Sequence, residues 1–180
     1  MVILKIGDSL FDDELNLLIK LLSLLDIGLK RVNAGIKASR DPESDGFLDV
    51  GEFLIGSGFV AIQRYLTATR AALGIQQVPA YDFLPMVNET AAYAKVLNAL
   101  ANYWKHSEEW FEILNGSESA KLGRQAESTI ETLEKVSPLL DYPCADFLAI
   151  LLQGKDLELS NLLPLISEWR DNLWNHAPQG

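Results

Sequence analysis

Residues 101–110 hold the densest group of side chains that could do chemistry: two tryptophans, a tyrosine, a lysine and one of the chain's two histidines. If this segment is helical, Asn102 and His106 lie one turn apart and can touch, with Trp110 one turn further on. An imidazole beside a dry aromatic ring can have a shifted pKa and act as an acid or base. We therefore take His106 as a candidate catalytic residue that Asn102 orients. The alternative is a histidine that only packs on tryptophan.

Residues 41–52 follow the spacing of an EF-hand calcium loop. The matching positions are Asp41, Glu43, Asp45, Gly46, Leu48, Asp49 and Glu52. Carboxylate oxygens at alternating positions can surround a hard cation, and the last glutamate can bind with both oxygens. However, Glu43 is longer than the usual residue, Lys37 and Arg40 precede the loop, and the chain has no second loop. The sequence thus favours a solvated acidic loop without metal, and calcium binding through Asp41, Asp45 and Glu52 is kept as an alternative.

Composition limits the classes of function. The 180 residues predict one domain, 1–180, and the net charge of −10 repels nucleic-acid phosphate but allows a basic protein partner. The single cysteine, Cys144, rules out an internal disulfide. We expect no cofactor, because neither a phosphate-binding loop nor a G-x-S-x-G elbow occurs. Without a signal peptide or an apolar run of about 20 residues, a cytoplasmic location is predicted.

Helices are the elements that would position these residues. The first, from about residue 9 to 38, is apolar except for a narrow stripe of Asn16, Lys20, Ser23, Asp26 and Lys30. Such a helix is typical of the spine of a bundle, covered by neighbours on most sides. Residues 2–6 could form one strand, for which we identify no partner.

Glycine, proline and capping residues along the chain predict five more helices. The second follows a loop at residues 39–46 and ends before Gly74, and a connector spans residues 78–85. The third, capped by Asn88 or Thr90, ends at Leu114, and the fourth spans about residues 119–136. Pro143 suits the first turn of the fifth, and the last begins near residue 160. The sequence predicts an all-α, single-domain bundle of about six helices.

Such a bundle with an N-x-x-x-H helix resembles the HEPN domains (higher eukaryotes and prokaryotes nucleotide-binding) over about residues 9–114. Many of these are RNA-cleaving toxins of bacterial defence systems or their inactive relatives. Asn102 and His106 match the polar residue and the histidine of the family motif, but Ala101 stands where the arginine should be. The resemblance implies a ribonuclease in which a cation stabilises phosphate charge while His106 moves a proton. That cation would have to come from elsewhere, for example Arg64 or Arg70 of the second helix.

The acidic charge and the incomplete motifs favour a non-catalytic interaction or regulatory protein, for example one in a bacterial defence or toxin-neutralising system. The alternatives are the ribonuclease using His106 and the calcium-binding loop at residues 41–52. We expect a protein partner and no membrane, and nucleic acid only if the ribonuclease alternative holds. Self-association is also expected, since the first helix is apolar nearly all round, although a core within one chain would explain that pattern too.

Overall fold

The fold is an all-α helical bundle, as predicted. The computed structural model describes residues 3–6, 9–114 and 123–177. Two short strands precede the helices, β1 (Ile3–Ile6) and β2 (Ser9–Asp12). The helices are α1 (Asp13–Ala38), α2 (Phe47–Ala72), α3 (Gln77–Tyr81), α4 (Tyr93–Leu114), α5 (Arg124–Glu134), α6 (Pro143–Leu152) and α7 (Leu163–His176), and a 3₁₀ turn (Leu159–Leu162) leads into α7. None of these helices is long and apolar enough to cross a membrane.

The beginning of the chain differs from the prediction. Residues 9–12, expected to begin the first helix, form β2, which pairs with β1 in an antiparallel hairpin. The strand therefore has a partner after all. The helix begins one residue after Asp12, whose Oδ1 accepts a hydrogen bond from the backbone N–H of Leu15 at 3.0 Å. Two other differences are smaller: the predicted connector contains α3, and the predicted first residues of the fourth helix, 119–122, lie outside the described residues.

The core lies where α2 and α4 meet α1, α6 and α7. The apolar spacing of α2 predicts an inner face that includes Phe59, Ile62 and Leu66, and all three are fully buried. In the last helix the spacing predicts one face with Ile166, Trp169 and Leu173. All three are buried, and Trp169 donates its indole N–H to the carbonyl of Ala80 at 2.8 Å. On α4 the spacing predicts a core face that includes Leu100 and Trp104. Leu100 is fully buried, whereas Trp104 is only half-buried.

Buried carboxylates tie distant segments of the bundle together. Asp26, predicted to lie on the polar stripe of α1, is buried, and its two oxygens accept the backbone N–H groups of Leu159 and Ser160 at 2.6 and 3.0 Å. Asp12 is buried too and accepts the hydroxyl of Tyr65 at 2.6 Å. These carboxylates satisfy donors that would otherwise be left at the ends of helices.

The prediction that neighbours cover α1 on most sides is wrong. The helix packs against α2 and the 3₁₀ turn, and its inner residues Leu18, Leu22 and Leu29 are buried. Large apolar side chains on the outer face are exposed: Leu17, Leu21, Leu24 and Ile27. An amphipathic helix with apolar residues on its solvent side signals a surface for association.

Candidate functional site: the α2–α4 surface

The segment 101–110 lies in α4 and contributes to three different surroundings. Ala101 is fully buried in the core, Trp110 is buried in a small cluster with α5, and Lys105 and His106 are exposed. Trp104 lies between these extremes, half-buried against α2. The functional side chains of residues 101–110 are therefore spread around α4 and do not converge on one point.

Trp104 lies on the backbone of α2 because Gly56 makes room for it. A β-carbon at Gly56 would overlap the indole ring, so only glycine allows this close approach. Phe53, one turn earlier on α2, covers the ring edge-on, with centroids 5.7 Å apart and planes at 81°. Phe53 itself is 62% exposed. The two rings thus form an aromatic pair in which Trp104 packs on Gly56 and Phe53 is exposed to solvent.

A groove of about 590 Å³ runs beside this aromatic pair. It is lined by Phe53, Ser57, Val60, Trp104, Lys105, Ser107 and Glu108. The floor is aromatic and aliphatic, and charged side chains stand on the α4 side. Such a groove suits an apolar anchor that reaches it from a polar surrounding.

Asn102 takes part in a polar network that joins α4 to α2. Gln63 of α2 donates from Nε2 to the Oδ1 atoms of Asn98 and Asn102 at 2.9 and 2.8 Å, and its Oε1 accepts from Lys105 Nζ at 2.8 Å. Because an ammonium group only donates, Lys105 fixes the orientation of the Gln63 amide. Gln63 in turn fixes both asparagine carbonyls, so the Oδ1 of Asn102 is directed to α2.

His106 lies where the sequence predicts, at an exposed edge position one turn before Trp110. The imidazole stacks on the indole of Trp110 with centroids 5.8 Å apart and planes at 16°. Tyr103 packs on the same indole at 6.0 Å, edge-on. The contact between His106 and Trp110 is thus confirmed, whereas any catalytic role of His106 or Asn102 stays a prediction.

The two arginines considered as a cation for His106 have other surroundings. Arg64 pairs with Glu14 of α1 at 3.3 Å. For Arg70 the register of α2 against α4 is informative: Phe53 meets Trp104, whereas Gln63 meets Asn98. The two helices therefore run antiparallel, and Arg70 lies toward the beginning of α4, away from His106.

The carboxylates of the loop at residues 41–52 are engaged by protein donors. Asp41 accepts the hydroxyl of Ser44 at 2.7 Å, which lowers the pKa of Asp41, and Asp45 accepts the hydroxyl of Ser39 at 2.6 Å. Glu52, the twelfth position of the calcium pattern, lies inside α2 and faces α6. In the described ranges 3–6, 9–114 and 123–177, no group of three or more His, Cys, Asp or Glu is arranged to hold a metal ion.

Glu52 caps α6 from outside that helix. Its two carboxylate oxygens accept the backbone N–H groups of Cys144 and Ala145 at 2.7 and 2.9 Å. The first turn of α6 has no capping side chain of its own, so Glu52 replaces one. Burial raises the pKa of Glu52, and the two N–H groups offset this only in part.

Acidic side chains gather around Tyr142, at the start of α6. The pKa of Tyr142, just before α6, is raised by desolvation and then by the negative charges of Asp49, Glu43, Asp141 and Glu52. Asp49 is exposed and lies one turn before Phe53 on α2. We call the surface formed by Val50, Phe53, Val60 and Trp104, together with Asp49 at its acidic border, the Phe53 face.

Sequence reasoning found one side of this site and missed the other. The predicted segment 101–110 contains Trp104 and Lys105, whereas Phe53 lies outside every site that the sequence predicts. A helical wheel of α2 carries the missing signal, because Phe53 lies outside the apolar face formed by Phe59, Ile62 and Leu66. Gln63 carries no comparable signal, since its role depends on which helix lies beside it.

Comparison with known proteins adds no relative to this description: no family model matches the chain, and neither a curated protein nor a solved structure is significantly similar to it.

Proposed function

We propose that this protein is a non-catalytic interaction protein that binds a basic partner protein through the Phe53 face. The observation that carries the proposal is the exposed phenylalanine, 62% open to solvent, fixed edge-on against Trp104. A rigid aromatic side chain on a surface loses little entropy on binding, and such residues dominate the energy of many interfaces. The groove of about 590 Å³ beside it would receive an apolar anchor of the partner.

The charge around the face defines the chemistry of the partner. Asp49 borders it, Glu43 and Asp141 gather with Asp49 around Tyr142, and the chain as a whole carries a net charge of −10. Complementary charge speeds association and selects against acidic partners. The expected partner is therefore a basic segment with an apolar side chain at its centre. A nucleic-acid-binding protein, such as a toxin held inactive in a defence system, has charge of this kind.

Site-specific photo-cross-linking in the native host tests the proposal. Benzoylphenylalanine at position 53 should capture a basic protein, and the same group at Leu84, which is 54% exposed, should not. With the captured protein purified, Phe53→Ala should weaken binding about 30-fold, in the range of an interface hot spot. Leu84→Ala should leave binding unchanged.

The interaction should weaken as ionic strength rises, because charges at the border of an interface mainly act on the association rate. Identical cross-linked products from positions 53 and 84, or an acidic partner, would overturn the proposal. So would unaltered binding by Phe53→Ala.

The ribonuclease using His106 is a second candidate function, favoured by one observation. The imidazole is exposed, stacked on a buried indole and next in sequence to Lys105. An accessible imidazole of this kind can transfer a proton. If the ribonuclease proposal holds, purified protein cleaves RNA and His106→Ala abolishes the cleavage. Cleavage that survives His106→Ala would exclude the role of His106.

A further inference from the structure

The outer face of α1 carries a seam with the spacing of a coiled coil. Steps of four and three residues connect Asp13, Leu17, Lys20, Leu24, Ile27, Arg31, Ala34 and Ala38, and all eight residues are exposed. Leu17, Leu24 and Ile27 are 58%, 66% and 51% exposed. A repeat of 3.5 residues keeps one stripe of a helix facing a partner helix along its whole length. The seam is thus built for a second helix.

None of the helices in the described part of the chain covers this seam. Those that pack on α1 contact its inner side, where Asp26 meets the 3₁₀ turn and Leu22 is fully buried. On the α2 side Gly28 approaches Leu54 and Gly35 approaches Phe47. Three large aliphatic side chains in a row are therefore left in water, which costs free energy that association would recover.

The charges of the seam show what the second helix is. The seam is acidic at its beginning, at Asp13, and basic toward its end, at Arg31, with the apolar residues between them. Two copies of such a seam complement each other only when they run in opposite directions. We propose that α1 of one chain packs antiparallel against α1 of a second copy, so that the protein is a homodimer.

The spacing fixes the register of this dimer. Asp13 lies opposite the partner's Arg31, Leu17 opposite the partner's Ile27, and Lys20 opposite the partner's Leu24. Each pair combines one a and one d position, which is how antiparallel coiled coils are layered. The aliphatic part of Lys20 covers the leucine while its ammonium group reaches water at the edge.

Two further features agree with the antiparallel arrangement. In a parallel dimer Asp13, Lys20 and Arg31 would each face their own copy, which gives three layers of like charge. Leu17 also lines a groove of about 480 Å³ between α1 and α2. In the antiparallel register the partner's Ile27 lies at the mouth of this groove and can fill it. The proposed seam does not include Phe53 or Trp104, and Val60 is the residue of the Phe53 face that also lines this groove.

Analytical ultracentrifugation over a range of concentrations measures the dimer directly. The wild-type protein should sediment as a dimer, and Leu24→Glu should weaken the dimer about 30-fold or more, as expected for a central apolar contact. Leu140→Glu is the matched control, because Leu140 is 63% exposed but lies outside α1. A wild-type protein that stays monomeric at every concentration would overturn the proposal.

Disulfide trapping distinguishes the register. Cys144 is fully buried, and burial raises the pKa of its thiol, so the native cysteine does not interfere. A mixture of Leu17→Cys and Ile27→Cys chains should form a cross-link between the two variants, whereas each variant alone should not. Efficient cross-linking of Leu24→Cys to itself would instead indicate parallel helices and overturn the antiparallel proposal.

Charge reversal provides an independent test. Asp13→Lys or Arg31→Glu alone places like charges opposite each other, and each should raise the dimer Kd several-fold. The double variant should return toward the wild-type Kd. In a parallel dimer each reversal leaves like charges facing, so the single variants would not change the Kd. Loss of the dimer by Leu24→Glu with intact binding through Phe53 would separate this proposal from the proposed function.

Discussion

The two faces of α1 reverse the usual distribution of polar and apolar side chains. On the inner face Asp26 is only 3% exposed, whereas Leu24, two residues earlier on the outer face, is 66% exposed. The buried carboxylate has two backbone N–H partners in the 3₁₀ turn, so hydrogen bonds offset the loss of water. The outer leucine has no such compensation within the described parts of the chain.

This difference shows what decides burial along a long helix. Asp26 is inside because the beginning of another helical segment presents donors to it, which is a property of the tertiary structure. Leu24 is outside because the helices available in one chain are used on the other side of α1. The polar residue inside thus has its partner within the chain, and the apolar row outside is the surface that the proposed homodimer would cover.

The sharpest contrast should come from alanine at two neighbouring leucines. Leu22 is fully buried. Leu22→Ala should therefore lower the free energy of unfolding by about 2–5 kcal/mol, because a cavity remains. Leu24→Ala should change it by less than about 0.5 kcal/mol in dilute, monomeric protein. Urea denaturation measures both. Raising the protein concentration should stabilise the wild type but not Leu24→Ala, because association is linked to folding. Equal losses for both variants in dilute solution would contradict this view of α1.

Removing the inner carboxylate should have the next largest effect. Asp26→Ala leaves two buried N–H groups without an acceptor, at a cost of about 2–4 kcal/mol. Asp26→Asn preserves the volume but replaces one acceptor by a donor, so most of this loss should remain. Hydrogen exchange at Leu159 and Ser160 locates the effect, since both amides should lose protection. Unfolding free energies within about 0.5 kcal/mol of the wild type for both variants would show that the carboxylate is not important.

Two glycines at the border between the faces offer a smaller, matched test. A β-carbon at Gly35 would overlap the ring of Phe47, so Gly35→Ala should cost about 1–3 kcal/mol. At Gly28 the new atom would lie 2.9 Å from the end of the Leu54 side chain, which can move aside. Alanine also favours a helix over glycine by about 1 kcal/mol, so Gly28→Ala should be close to neutral. Thermal unfolding of the two variants measures the difference, and the opposite order would contradict the packing described for α1 and α2.

The sequence predicts the helices of this fold well because their ends are written locally. Local residues mark the ends of three helices in the sequence: the loop after Ala38, the positive-φ Gly74, and Pro143 in the first turn of α6. Contacts between distant segments cannot be predicted from such local patterns. Asp26 looked like part of a solvent-facing stripe because its donors lie more than 130 positions later in the chain. The residues of β2 continue the apolar pattern of α1, so the pattern alone predicts a helix there.

The same limit applies to the candidate site. The edge position of His106 and its contact with Trp110 follow from helical spacing alone. The Gln63 amide that holds Asn102, and the glycine that admits Trp104, depend on how α2 lies against α4. Spacing within one helix was therefore sufficient to find neighbours on that helix. It could not show that Phe53, on another helix, completes the surface.

Glu52 provides the smallest and most specific test of how buried carboxylates behave here. Its oxygens cap α6, yet burial raises its pKa above the ordinary value of 4.5. The folded protein therefore holds the Glu52 proton more tightly than the unfolded chain does. Its contribution to stability is fully present below pH 4.5 and declines as the pH rises through the raised pKa.

Glu52→Gln removes this titration and leaves every other carboxylate in place, so the other groups cancel in a comparison with the wild type. Unfolding free energies of both proteins, measured in urea from about pH 4 to pH 7, should show the wild type losing stability relative to Glu52→Gln as the pH rises. If the wild type instead gains relative stability, the two backbone N–H groups outweigh burial. Glu52 would then be a favourable charged cap, and buried carboxylates in this bundle would stabilise it by their charge as well as by their geometry.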